Sequence, residues 1–511
     1  MSKLNSLYAL FYLIFLLTSL GKTELVENNY AVSTYDMGYL VSHERYLLDI
    51  LQNFTNELQK KVDTIEYYLE MMAYEDEEDF PTDPIESFRM IRRLYSDYSN
   101  WAWYLEQQPW EAYVDHMIAI APKMPTKKDI EEGIRGLKLI QWVYSLPASQ
   151  MAEGVLQNVH HNSSLNAMER YTIAKDMAKN NELKLAMEWL IVGLNKYTAD
   201  RENEDYFTQL GVPLSSFYEL FVELQDGLGS RTFALKELQA ALKRWPEKFS
   251  LSRVQSRLQM NIRTGKEPNI KKDIPMGKYQ QCCTSECRPN SKLFCLYNST
   301  TSAFLRYAPL KMEVLSLDPY IVLYHDVISE ENIVRVQNLT KGRLERAKTY
   351  GKDGNLREDP DRTTKGFWLE EDVEVVLKME EITRDMSNFD LEEAEHFQVM
   401  NYGIGGYYYI HFDFLGYSKE NDVSLSDRIA TVVFYLNDVP QGGATVFPDL
   451  KLTVFPKKGS ALMWYNLDHK GEGDKRTGHS ACPTIVGPRW VMTKWIRERD
   501  QVFSRPCLRS I

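Results

Sequence analysis

The sequence predicts a multidomain α + β chain, with a helical N-terminal half followed by an antiparallel β domain. Three observations predict it. Apolar residues recur at helical spacing through the first half, a polar Cys- and Pro-bearing segment interrupts the chain from Gly265 to Asn298, and short apolar runs between Gly, Pro and Asp turns follow. At 511 residues the chain exceeds one hydrophobic core, and length alone suggests roughly three domains of about 150 residues each. An apolar fraction of 44% and a charged fraction of 26% are those of a folded globular protein. The formal charge of -12, from 60 basic and 72 acidic residues, speaks against a nucleic-acid surface and is compatible with a neutral or basic polymeric partner.

At the start of the chain Lys3 precedes the apolar run Leu7 to Leu17, and Ser19-Leu20-Gly21 offers small residues for a signal peptidase. Residues 1–21 therefore read as an export signal cleaved before Lys22. The run is shorter than the roughly 20 residues of a membrane-spanning helix, so no span is expected after cleavage. Sequons at Asn53, Asn162, Asn298 and Asn338 agree with secretory entry and are the candidate glycosylation sites. From Leu40 to Leu69 a coiled-coil-like seam runs through Leu47, Leu51, Phe54, Leu58, Ile65 and Leu69, with Lys61 where a seam residue belongs. Self-association and packing within the chain both fit this seam. The acidic stretch Glu75 to Asp79, with Pro81 and Pro84, reads as a solvated connector before more helical sequence to about Leu146.

A weak internal repeat follows. Leu183 to Tyr197 superposes on Arg231 to Trp245 at an offset of 48 residues, with Ala186 on Ala234, Leu190 on Leu238, Leu194 on Leu242 and Tyr197 on Trp245. A small residue, two leucines at helical spacing and an aromatic make the pattern of a helix-hairpin repeat, and it resembles tetratricopeptide repeats. The next segment carries Cys282, Cys283, Cys287 and Cys295, and Cys482 and Cys507 lie near the C-terminus. An oxidising compartment favours disulfides, for which Cys482 with Cys507 is the expected pair, while Cys283 and Cys295 are disulfide candidates in a first cluster whose connectivity stays open. A zinc site is the competing reading, but the spacing lacks paired Cys-x-x-Cys knuckles. Strands are expected at Pro319 to Tyr324, Gln398 to Tyr402, Arg428 to Leu436, Leu452 to Phe455, Ser460 to Trp464 and Trp490 to Ile496, enough for a small barrel or jelly roll.

Inside that β domain stands the run Tyr402-Gly403-Ile404-Gly405-Gly406-Tyr407-Tyr408-Tyr409-Ile410-His411-Phe412-Asp413-Phe414, followed much later by His479 and Arg489. Two imidazoles and a carboxylate, with His and Asp two apart on a strand, can occupy one face of an Fe(II) ion and leave the other open, as an oxygenase needs. The glycines place a tight, sterically open turn before the motif, and the tyrosines give it an aromatic wall. Both histidines also fit as satisfied polar residues of a strand and a loop. Arg489 starts the last expected strand, where a guanidinium can grip a carboxylate with two parallel hydrogen bonds.

Five collinear segments carry a resemblance to a known family: QVMNYGIGGYYYIHFDF (398–414), DRIATVVFYLNDVPQGGATVFP (427–448), PKKGSALMWYNL (456–467), GEGD (471–474) and HSACPTIVGPRWVMTKW (479–495). The chain resembles the α subunits of collagen prolyl 4-hydroxylases over nearly its whole length. The resemblance implies an N-terminal helical, coiled-coil-like dimerisation region (22–145) and a tetratricopeptide-like domain binding proline-rich peptide (146–260). After a Cys-rich linker (261–305) it implies a double-stranded β-helix, or jelly-roll, catalytic domain (306–511). It makes His411, Asp413 and His479 the iron ligands, Arg489 the partner of the 2-oxoglutarate distal carboxylate with Lys494 as fallback, and Tyr402 a cofactor neighbour. Tyr171, Trp189 and Tyr197 are the aromatic candidates for the peptide-binding face, with core packing as the alternative.

The implied reaction hydroxylates peptidyl proline at C4 in X-Pro-Gly sequences, with O2 and 2-oxoglutarate giving succinate and CO2 at Fe(II), and L-ascorbate keeping the iron reduced. The implied partner is protein disulfide isomerase in an α2β2 tetramer in the lumen of the endoplasmic reticulum. Leu508-Arg509-Ser510-Ile511 is not a retention tetrapeptide, so retention would come from that partner. The chain departs from the family pattern at Arg489, usually Lys, at Arg497, often His, and at Gly478, usually Arg. Asn180-Asn181 stand where the family tends to place a tyrosine pair. These departures leave two other readings: a non-catalytic subunit that binds proline-rich chains, and the same chemistry on a secreted substrate other than collagen.

Overall fold

In the computed structural model, which describes residues 29–72, 84–199, 204–265, 267, 277–284, 287, 294–350, 356–369, 373–416, 426–502 and 504, the described chain forms two compact units. One spans Asp36–Thr126; the other combines Asn29–Tyr35 with the chain from Lys127 onward. The expected export signal, the acidic connector and Cys507 lie outside the described residues. No described helix is long and apolar enough to cross a membrane.

The first unit is built on helix α1 (Thr34–Met72), beside helices Pro84–Arg92, Tyr98–Glu106 and Glu111–Ile120. Its seam packs partly within the chain. Phe54 meets Trp110 edge-on at 6.1 Å, and Tyr68 meets Trp101 at 4.7 Å. Lys61, the polar residue in the seam, donates to the carbonyls of Leu105 (3.0 Å) and Gln107 (2.7 Å) and lies over the Tyr104 and Trp110 rings. It thus satisfies the carbonyl end of the helix Tyr98–Glu106, which has no intrahelical partners of its own. Leu51 and Leu69 of the same seam stay exposed.

In the second unit, helices α2 (Lys127–Tyr144), α3 (Ala167–Lys179), α4 (Leu183–Ala199), α5 (Leu214–Gly227), α6 (Arg231–Arg244) and α7 (Phe249–Thr264) form the helical domain. The repeat pattern was structural: Ala186 and Leu190 of α4, and Ala234 and Leu238 of α6, are all fully buried. Alanine lets each of these helices approach its neighbours closely. The division from the first unit falls between Thr126 and Lys127, not after residue 145. The reason is that Ile134, Ile140, Val143 and Tyr144 of α2 enter one apolar core with Trp189 and Phe217.

The β domain holds a nine-stranded and a four-stranded sheet. Its strands are β1 (Cys295–Asn298), β2 (Leu310–Leu317), β3 (Tyr320–His325), β4 (Glu345–Arg346), β5 (Lys365–Leu369), β6 (Phe397–Tyr402), β7 (Tyr408–His411), β8 (Arg428–Tyr435), β9 (Thr445–Phe447), β10 (Leu452–Val454), β11 (Ala461–Tyr465), β12 (His479–Ala481) and β13 (Arg489–Arg497). The large sheet runs β1-β2-β3-β11-β8-β13-β6-β5-β4 and the small one β7-β12-β9-β10, with antiparallel pairing throughout. Side chains alternate across the large sheet. On β8, Ala430, Val432 and Phe434 face a core closed by helices α9 (Glu330–Thr340) and α10 (Glu374–Ser387), while Val433 and Tyr435 face the small sheet. Burial on both faces is why these strands read as nearly continuous apolar runs.

The cysteine pairing differs from the expectation. Cys283 bonds to Cys482 across 199 residues, Cys282 bonds to Cys287, and Cys295 is free and exposed on β1. The expected pair Cys482–Cys507 is therefore not formed, and of the candidates Cys283 and Cys295 only Cys283 is in a disulfide. Helix α8 (Lys278–Cys283), within the supposed linker, is packed against the β domain with Tyr279, Cys282 and Cys283 buried, and this brings Cys283 to Cys482. Nearby, Tyr144 donates to the carbonyl of Pro483 at 2.7 Å. Of the sequons, Asn298 is buried, and its amide donates to Thr301 at 2.8 Å and to the Tyr324 hydroxyl at 3.3 Å, which removes it as an accessible acceptor in the folded chain. Asn53, Asn162 and Asn338 are exposed.

Candidate active site

The two sheets face each other, and at one end of the space between them the strands bring the three candidate ligands together. His411 ends β7 and His479 begins β12; these strands pair, and the two histidines are direct register partners. Asp413 follows two residues after His411. Its carboxylate oxygens lie 3.6 Å from His411 Nε2 and 3.6 Å from His479 Nε2, and one donor atom from each of the three residues lies within 4.8 Å of the others. Among the described residues this is the one cluster of His, Cys, Asp or Glu with metal-binding geometry.

Hydrogen bonds aim these groups. His411 Nδ1 donates to the carbonyl of Tyr409 at 2.7 Å, and His479 Nδ1 donates to the carbonyl of Thr477 at 3.0 Å. Each ring therefore presents an unprotonated Nε2 to the cluster. The Thr431 hydroxyl donates to Asp413 at 2.8 Å and accepts from the Asn466 amide at 2.9 Å. Burial, with help from neighbouring His479, drives the His411 pKa down to about 3. Burial works to raise Asp413, yet His479, His411, Arg428 and the Thr431 hydrogen bond together outweigh it and hold the carboxyl at about 2. The donor set is thus two imidazoles, each turning Nε2 to the cluster, and one carboxylate, ligand types that suit divalent iron. Tyr408 stacks on His411 at 3.5 Å, and Trp464 meets His479 edge-on at 4.6 Å, which fixes both rings.

Strand alternation decides which basic residue enters. On β13, Arg489, Val491, Thr493 and Trp495 line the site with the ligands. Lys494 points through the opposite face, fully buried against Glu380 of α10 at 2.7 Å and over the Phe397 ring. The fallback role for Lys494 is therefore excluded by parity. Arg489 is buried, donates to Thr445 at 3.2 Å and lies 4.6 Å over the ring of Tyr402. Its Nε and Nη1 have no hydrogen-bond partner among the described residues. A buried guanidinium with open donors fits an anionic ligand, because leaving them unmet costs about 1–3 kcal/mol per group. The cluster and this guanidinium together suit a metal ion and a carboxylate-bearing co-substrate.

Other departures acquire physical reasons. A Cβ on Gly478 would stand 2.9 Å from the Phe412 ring, so a longer residue there would displace Phe412. Arg497 is held by Glu395 at 2.7 Å and by the carbonyl of Ser426 at 2.6 Å, and is not among the residues lining the site. Asn180 caps the end of α3 through Asp176, and Asn181 has a φ of 59°, a left-handed conformation that asparagine adopts more readily than tyrosine. The asparagine pair is a helix terminator.

Of the peptide-face candidates, Trp189 and Tyr197 are wholly buried, and Trp189 donates to Gln141 at 2.9 Å; both belong to the core. Tyr171 alone reaches the groove of the helical domain, beside Lys175, Asn181, Glu219 and Glu223. Burial raises its pKa to about 12. Sequence reasoning missed Arg362, which lines the site, donates to Gln398 at 2.8 Å and lies 4.9 Å over the Tyr408 ring. Its only sequence signal was a lone Arg before two threonines. Thr431 and Thr445 gave no signal at all.

Comparison with known proteins matches two parts of the chain to protein families: residues 33–158 to the prolyl 4-hydroxylase alpha-subunit N-terminal region, and residues 397–497 to the 2OG-Fe(II) oxygenase superfamily. Prolyl 4-hydroxylase subunit alpha-2 of Caenorhabditis elegans is 28% identical, over 92% of this chain and 92% of its own length. A solved structure of a viral collagen prolyl hydroxylase is 25% identical over 35% of this chain and 95% of its own, with a TM-score of 0.29. Prolyl 4-hydroxylase subunit alpha-1 of Gallus gallus is 30% identical over 96% of this chain and 98% of its own length, and so this chain belongs to the family of prolyl 4-hydroxylase α subunits.

Proposed function

We propose that this chain hydroxylates peptidyl proline at C4 in collagen-like X-Pro-Gly sequences. His411, Asp413 and His479 would hold Fe(II), and Arg489 would bind the distal carboxylate of 2-oxoglutarate. The observation that carries this reading is the convergence of three metal-binding atoms within 4.8 Å beside a buried arginine whose Nε and Nη1 are unpaired. Bound there, iron with 2-oxoglutarate and O2 supplies the oxidising power that replaces a C4–H bond by C–OH, releasing succinate and CO2.

The protein's own residues account for the rest. Nδ1 hydrogen bonds fix both imidazoles, and Thr431 fixes the carboxylate, so the ligands need little reorganisation to bind. The Tyr402 ring and Thr445 hold the Arg489 guanidinium in one plane. Apolar Val433, Val491 and Trp464 line the site and exclude water, which protects a reactive centre from side reactions. Arg362, on the same lining, stands ready to hydrogen-bond a substrate backbone carbonyl. The groove around Tyr171 would bind the flanking proline-rich chain, whose polyproline II ridge suits an aromatic face.

L-ascorbate, assembly with protein disulfide isomerase as an α2β2 tetramer, and residence in the lumen of the endoplasmic reticulum complete the proposal, supported by the family and the disulfides. The deciding experiment gives the purified complex Fe(II), 2-oxoglutarate, ascorbate and a (Pro-Pro-Gly) peptide. Succinate release that depends on the peptide is expected. No release above background, with a related hydroxylase active alongside, would leave the chain a non-catalytic binding subunit.

A further inference from the structure

The turn Gly403–Gly406 connects the two halves of the site: Tyr402, under Arg489, precedes it, and Tyr408 and His411 follow. The sequence suggested an open turn, yet backbone closes on it from two directions. On one side lies Asn29–Tyr35, in which Tyr30, Ala31, Val32 and Ser33 are buried. Ile404 N donates to the carbonyl of Ala31 at 3.0 Å, and a Cβ on Gly403 would stand 2.1 Å from that same oxygen. On the other side lies α2, where a Cβ on Gly136 would stand 2.1 Å from the carbonyl oxygen of Ile404. Glycines at these positions permit three backbones to touch.

Polar contacts give the segment Asn29–Tyr35 a defined seat. Asn401, fully buried beside Tyr402, accepts from the Ser33 hydroxyl at 2.7 Å and from the Tyr35 backbone N–H at 3.0 Å, and the Thr34 hydroxyl meets both ends of its amide at 3.2 and 3.1 Å. The Tyr35 ring packs edge-on against Trp490, the neighbour of Arg489, at 6.0 Å. Ordering such a segment costs about 1–2 kcal/mol per residue in backbone entropy. Besides the Ala31 N–H, which donates to Asp129 of α2 at 3.4 Å, its polar contacts fall on Asn401 and on the turn, next to the site's anchors.

We propose that Asn29–Tyr35 is a positioning strap. By holding Asn401 and the turn Gly403–Gly406 it keeps Tyr402 and His411 in register, and the site binds metal and 2-oxoglutarate at full affinity only with the strap seated. The strap leads directly into α1, so the chain that carries the first unit also completes the β domain. This inference rests on the metal-site reading above, and its test separates the two.

Two variants of the full chain, purified as its complex, test it. One replaces residues 29–35 by a Gly-Ser segment of equal length; the other is Ser33→Ala with Thr34→Val, which removes two donors to Asn401 and nothing from the β domain. Amide hydrogen exchange at 403–407 should accelerate at least tenfold, and Co(II) affinity, read from its visible absorption, should fall about tenfold, as should apparent 2-oxoglutarate affinity. The KM for peptide should not change. Thr34→Ser, which keeps the hydroxyl, should behave as the parent. Should the replacement fail to fold, the double substitution decides. Unchanged exchange and Co(II) affinity would overturn the strap, and so would exchange accelerated equally throughout the β domain. A parent chain that binds no Co(II) would overturn the metal reading itself, and one that binds Co(II) without peptide-dependent succinate release would overturn only the proposed reaction, leaving exchange and Co(II) to judge the strap.

Discussion

His411 and His479 both donate Nδ1–H to a carbonyl two residues earlier in the chain, so neither can turn Nε2 away without breaking that bond. His411→Ala or His479→Ala should therefore abolish iron-dependent turnover, read by succinate release; substantial residual activity in either would refute the ligand assignment. The same site predicts an acid sensitivity in the metal-free protein. His411 is depressed to about 3 and Asp413 to about 2, so at pH values between these and the ordinary ranges the unfolded chain binds more protons than the folded one. Stability must then rise with pH, from about 2 to the ordinary aspartate pKa near 3.9 through Asp413 and from about 3 to the ordinary histidine pKa near 6.5 through His411, by up to about 1.4 kcal/mol per pH unit per proton. Urea titrations at several pH values should show a shallower slope for His411→Gln. Arg489→Ala removes a charge-assisted contact of about 1.5–3 kcal/mol, a roughly ten- to hundredfold rise in the 2-oxoglutarate requirement, with the peptide KM little changed. Lys494→Met should leave that requirement alone and instead cost stability, up to about 3 kcal/mol, because Glu380 would stay buried with only the half-exposed Arg384 beside it at 3.3 Å.

Elements are where sequence reasoning succeeded and failed for opposite reasons. All six expected strands are present within a residue or two of their expected ends, because their apolar runs are long and their turns carry Gly, Pro or Asp. Helices α9 and α10 were not anticipated, being short amphipathic segments whose meaning depends on the sheet they cover. The disulfides failed too, because pairing follows the approach of Cα atoms and not the order of cysteines. Cys283–Cys482 closes a loop of 199 residues, for which chain entropy alone predicts about 5 kcal/mol of stabilisation. Cys283→Ser should lower the melting temperature markedly, and Cys295→Ser should not. Mass spectrometry of unreduced peptides should recover the Cys283–Cys482 link, and a Cys283–Cys295 link would refute the pairing.

For the whole molecule, α1 belongs from Asp36 onward to the first unit and carries exposed Leu48, Leu51, Tyr67 and Leu69. Under the proposed α2β2 assembly, apolar exposure on that scale is the expected association surface. Leu51→Glu together with Leu69→Glu should shift the assembly towards a single α subunit in sedimentation, while amide exchange in the β domain stays unchanged. An unaltered sedimentation profile would assign dimerisation elsewhere.

The sequence by itself determined the periodicities, and with them the helical half and the β half, and it singled out the candidate ligand trio, because a His-x-Asp on a strand with a distant His is a spacing that suits a metal. Tertiary structure alone decided which face of β13 meets the candidate site, so that Arg489 lines it and Lys494 does not. It also placed Trp189 and Tyr197 in the core and Cys283 beside Cys482, and seated Asn29–Tyr35 on a turn hundreds of residues away. Each of these depends on contacts between segments far apart in the chain, and no local pattern of residues encodes them.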